Sequence, residues 1–134
     1  MTRKRLWLLI APVLGVAAMV LPVLISPPAH WYEAPLFPVI RNAQEDLGLC
    51  QLVLFFAVGL ILGYGSSSHA LHLGAAAVLL LPLAAFAEMV VDSTSHNLFP
   101  FEFMFYAFYG LIVAFGAFIA HLASRRFAPF RGGA

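Results

Sequence analysis

Glu88, Asp92 and His96 recur every four residues toward the end of a long apolar run, and Glu102 follows shortly after them. Residues four apart share a helix face, so a continued helix would align the first three along one stripe. Carboxylates with one imidazole match a ligand set for Zn, Mn or Fe, and they also suit proton transfer or metal-dependent chemistry on a lipid. Glu88 carries most of this argument because it lies within the apolar run, beyond Pro82 and among Ala84, Ala85 and Ala87. An ionisable group in such a run is costly and tends to face a partner, a bundle interior or water. Apart from His96, each of these residues taken singly also has a purely structural reading, though that reading does not explain why they lie together. Glu88 stands about one turn from the end of its run, where a carboxylate reaches water at little cost. Asp92 or Ser93 can end one helix and a polar side chain near Asn97 can cap the next; Pro100 suits a first helical turn, and Glu102 the positive end of that helix dipole.

A weaker grouping is His69 and His72, which share a helix face, with His121 as a possible third metal ligand if the fold brings it near. Interfacial hydrogen bonding is the competing role for these imidazoles. No motif specifies a cofactor, and a divalent metal ion is the one these residues could hold. The chain has no Walker-type glycine loop, no GxSxG turn, no HExxH and no pair of mid-span histidines for a haem. Its single cysteine, Cys50, excludes an internal disulfide and a Cys-Xaa-Xaa-Cys pair, and reads most simply as a small packing residue.

The elements that must position these groups are four apolar stretches, at about residues 6–26, 47–64, 70–91 and 103–124, each near the roughly 20 residues a helix needs to cross a bilayer. Composition points the same way by a separate route. The chain is 63% hydrophobic and 10% charged, with a mean hydropathy of +0.95, well above a soluble domain's apolar share of roughly 45–50%. Four spans consume most of the 134 residues, leaving one domain and no separate soluble unit. The expected fold is therefore all-α, an up-down bundle of four transmembrane helices over residues 1–134.

Charge orients that bundle. Arg3, Lys4, Arg5, Arg125, Arg126 and Arg131 flank the chain ends, whereas Glu33, Glu45, Asp46, Glu88, Asp92 and Glu102 gather around the connections 27–46 and 92–102. Basic residues beside spans stay on the cytoplasmic side, so both termini are expected in the cytoplasm and both acidic connections outside, as in a bacterial inner membrane protein. The first run is longer than a signal-peptide core and ends at Ser26-Pro27-Pro28, so it reads as a retained span, with kinks expected at Pro12 and Pro22.

Gly59 and Gly63 form a GxxxG pair, and Gly110 and Gly116 smooth the last span; such faces allow close helix packing, within the bundle or between copies. Gln51 could hydrogen-bond across helices. The proline-rich segment 27–46 is too apolar for a free linker, so it lies on the membrane surface or folds over the bundle as a lid.

Two function classes follow. The favoured one is a non-enzymatic structural or accessory subunit of a larger membrane complex or homo-oligomer, whose partners are the bilayer and other membrane subunits or itself, with no nucleic acid. The other is an outward-facing site of Glu88, Asp92, His96 and Glu102 for cation binding, proton relay or lipid chemistry.

Overall fold

The computed structural model describes residues 3–45, 48–92 and 99–127. Among these the chain is all-helical: α1 (Arg3–Ile25), α2 (Pro38–Glu45), α3 (Leu49–Gly65), α4 (Ala70–Val78), α5 (Leu80–Val91) and α6 (Phe99–Phe127). Among the described residues three stretches are long and apolar enough to cross a membrane: Arg5–Ile25, Ala70–Val91 and Pro100–Arg126. A fourth exists if α2 and α3, set at 109° to each other, count as one bent span.

The prolines act differently from one helix to another. α1 runs unbroken through Pro12 and Pro22, where the sequence expects kinks. The run 70–91 is interrupted at Leu79, whose N–H bonds back to Ala76 O at 3.3 Å, a tighter span than an α-turn. Pro82 accounts for the break: it has no N–H for the Val78 carbonyl and its ring crowds that oxygen, so the helix re-forms from Leu80 onward. α6 opens at Phe99, with Pro100 and Glu102 in its first turn as the turn chemistry implies.

Packing centres on α6. Phe55 stacks on Tyr109 with ring centroids 4.9 Å apart, Gly59 lies against Val113 and Gly116, and Gly63 lies against Ala117. Partner numbers rise together, so α3 and α6 run in the same direction. Gly74 meets Gly110 and Ala114 while Val78 also meets Gly110, so α4 runs the opposite way. Gly15 seats α1 on the Ala77 backbone, and Trp7 covers Gly65 at the end of α3. The core between them holds Met19, Phe55, Leu62, Leu73, Leu81 and Val113, all fully buried. The Tyr109 hydroxyl is also buried and has no hydrogen-bond partner among the described residues, so its place rests on ring stacking.

A Cβ at Gly59 would stand 3.0 Å from Gly116 Cα and closer still to the Val113 carbonyl, and one at Gly63 would stand 2.6 Å from Ala117 Cα. The obstacle is backbone, which cannot rotate away as a side chain can. Gly59→Leu or Gly63→Leu is therefore expected to lower stability by about 1–3 kcal/mol or more, read as a fall in Tm in detergent, whereas Ala107→Leu on the exposed face of α6 leaves Tm in place. Equal melts for all three variants would mean that α3 does not sit on α6.

Candidate functional site

At the acidic end of the bundle the chain leaves α1 through Pro27 and Pro28, runs to Phe37 without helix or strand and with bends at 29–30 and 35–36, and enters α2 at Pro38. Proline at the first helical position loses no needed hydrogen bond, and its fixed φ starts the helix. Asn42, only 1% exposed, ties this segment together. Its Oδ1 accepts the Tyr32 N–H at 2.8 Å, and its Nδ2 donates to Tyr32 O at 2.9 Å and Pro38 O at 2.7 Å. The side chain thereby supplies the partners that regular structure would otherwise provide to this irregular backbone.

This cap is pinned to the bundle by the groups that the sequence marks as chemical. Glu88 is buried, 4% exposed, and its Oε1 accepts the Phe37 N–H at 2.8 Å. Arg41 bridges Glu102 at 3.2 Å and Glu45 at 2.7 Å. The bridge to Glu102 joins α2 to α6 across 61 residues of sequence, whereas the one to Glu45 stays within α2. Gln44 donates to the Tyr106 hydroxyl, which also lies within electrostatic reach of Glu102, Arg41 and Glu88. The acidic end is thus one connected polar patch with an arginine in it, laid over the ends of α5 and α6.

Of the sequence-derived site, Glu88 and Glu102 come to this common patch, and Asp92 follows as the residue ending α5, its N–H bonded to Glu88 O at 2.8 Å. His96, with Asn97 and Ser93, lies outside the described residues, as does Asp46. Among the described residues no group of three His, Cys, Asp or Glu side chains is arranged to hold a metal ion. His69 and His72 meet edge to face at 5.6 Å, while the His121 Nε2 lies 2.9 Å from the Ser66 carbonyl. Gln51 turns back on its own helix: its Oε1 accepts the Gly48 N–H at 3.0 Å, half of a capping box at the start of α3. Cys50, read from the sequence as a small packing residue, is exposed in the first turn of α3, beside the buried Gln51.

Asn42, Gln44 and Tyr106 escape the sequence reading. Only Arg41 leaves a trace there, as the one basic residue in the acidic compartment. No protein family, curated protein or solved structure matches this chain.

The geometry makes the cap depend on Glu88 as an acceptor. Glu88→Ala leaves the Phe37 N–H without its acceptor and is expected to cost about 1–3 kcal/mol; Glu88→Gln retains an amide oxygen at the same place and costs less. Limited proteolysis of segment 26–37 reads this directly: faster cleavage in the alanine variant, near wild-type rates in the glutamine one. Equal cleavage of wild type and Glu88→Ala would show that Glu88 does not hold the segment.

Proposed function

We propose that this chain is a four-span integral protein of a bacterial inner membrane, up-down in topology with both termini cytoplasmic, and that it acts as a non-enzymatic accessory or structural subunit. The observation that carries the functional half is the bond from the Phe37 N–H to Glu88. The one described carboxylate buried within a span serves as an anchor for the connection above it, and Glu102 serves likewise through Arg41. Groups committed in this way are part of the scaffold. The exposed ridge of α6, with Phe101, Met104, Phe108, Leu111, Phe115 and Phe118, is apolar throughout and suits lipid and other membrane helices.

The topological half is supported by the charge split and by the length of the helices. α3 alone has 17 residues, about 25 Å of helix, which is near the lower limit for a span. α2 crosses it at a steep angle and suits the interface. In a Cys50→Ser background, Glu33→Cys is expected to react with a membrane-impermeant thiol reagent from outside the cell, and Ser67→Cys only after the membrane is opened. Reaction of residue 67 in intact cells would overturn the topology.

Two measurements test the functional reading. A photo-crosslinker placed in turn at Phe105, Phe108 and Leu111 in native membranes should give a discrete protein adduct from at least one face of α6; lipid adducts alone from every exposed position would contradict a subunit role. Thermal melts in detergent with chelator, Zn, Mn or Ca should superimpose. A bound ion adds roughly 2.7 kcal/mol at a hundredfold excess over its dissociation constant, so an ion-dependent rise in Tm that Glu88→Gln abolishes would instead establish a cation site at the acidic end.

A further inference from the structure

We infer that a cleft at the basic end of the bundle receives the phosphate-ester group of an anionic lipid headgroup. The cleft follows from helix lengths. Gly63 fixes α3 against Ala117, but α3 stops at Gly65 while α6 continues to Phe127, so the last turns of α6 project beyond their neighbour. The step between them is an open cavity of about 380 Å³, walled by Ser66, Ser67, His121, Ser124 and Arg125.

Its walls are held in place. His121 Nε2 is engaged with Ser66 O at 2.9 Å, the Ser68 N–H bonds to Ser66 Oγ at 3.1 Å, and Ser124 Oγ donates to His121 O at 3.0 Å. Arg125 and Ser67 are exposed and bring donors to the opening. No Asp or Glu lines the cleft; Arg125 makes no ion pair among the described residues. The Arg125 guanidinium and the Ser67 hydroxyl, at an acid-free recess where the Ser66 and Ser124 hydroxyls are already given to Ser68 Oγ and His121 O, are donors of the kind that phosphate oxygens accept.

The surroundings favour a lipid as the source of that phosphate. One turn deeper on the faces that carry Tyr64 and Arg125 stand Ile61 and Leu122, 52% and 43% exposed, where an acyl chain would continue. Trp7 packs on Gly65 at the same level, as aromatic residues do at a membrane interface. Basic recesses between helices on the cytoplasmic side are a recurrent setting for anionic headgroups. Placing the cleft at headgroup depth rests on the four-span reading, but the test below uses micelles and does not depend on which side of a membrane the cleft faces.

The test is native mass spectrometry of the full chain in detergent with phosphatidylglycerol or phosphatidylcholine added, for wild type, Arg125→Gln and Arg126→Gln. Arg126 is the control because it shares the last turn of α6 and its dipole but does not line the cleft. Wild type should retain phosphatidylglycerol over phosphatidylcholine. Arg125→Gln should reduce that preference by about tenfold, the loss of a charge-assisted contact, while Arg126→Gln keeps most of it. Absence of the preference in wild type, its survival in Arg125→Gln, or an equal loss in both variants would overturn the site. Glycerol phosphate added in excess should leave the bound lipid in place; displacement of the lipid by it would overturn the lipid assignment in favour of a soluble phosphate ester.

Discussion

Close approach of backbones along α6 is the constraint on which the other contacts rest. In a bilayer, burial of apolar side chains gives helices little reason to associate, because lipid tails are as apolar as leucine. Van der Waals contact between smooth faces must supply the attraction. Gly59 and Gly63 let α3 reach Val113, Gly116 and Ala117, and Gly74 lets α4 reach Gly110 on another face of the same helix. α1 then adds to this pair through Gly15 on Ala77. Ridges of phenylalanine and leucine are left to point outward, so the large exposed apolar residues of α6 follow from the same arrangement.

Packing by glycine sets helix positions but leaves helix ends open, and the acidic end shows how they are closed. A connection with Pro27, Pro28, Pro35 and Pro38 has few N–H groups for local structure, and those it has still need partners. Phe37 finds one in Glu88, and Tyr32 finds one in Asn42. A carboxylate so near the apolar run looks wasteful until its acceptor role is counted. Arg41 belongs to the same economy: a basic residue on the acidic side opposes the charge pattern, yet it ties α2 to α6 through Glu102.

Much of the fold is legible in the chain because apolar length and charge are one-dimensional properties. The runs ending at Ile25, Gly65 and Val91 appear close to where hydropathy places them, and Pro100 with Glu102 marks the start of α6. What is hidden depends on pairing. A GxxxG motif announces a smooth face, but nothing in it says that Gly63 faces Ala117 of the same chain. The partner of Glu88 is a backbone N–H 51 residues earlier, and every residue except proline has one, so side-chain identity gives no signal. Spacing alone does not define the acidic cluster: Glu88 lies in α5, which ends at Val91, and Asp92 follows as its extended capping residue, so the helix that would align the two stops between them. Glu102 instead reaches the patch from α6 through Arg41.

The buried carboxylate of Glu88 holds the segment before α2 onto the bundle. Hydrogen–deuterium exchange resolved to the Phe37 amide in the intact chain reads this bond, since an amide that donates to a buried carboxylate exchanges chiefly when that bond opens. The Phe37 amide is expected to be well protected in wild type, with protection lost in Glu88→Ala while the amides of α6 around Val113 stay protected. Exchange of the Phe37 amide at the rate of an open peptide in the wild-type protein would contradict it.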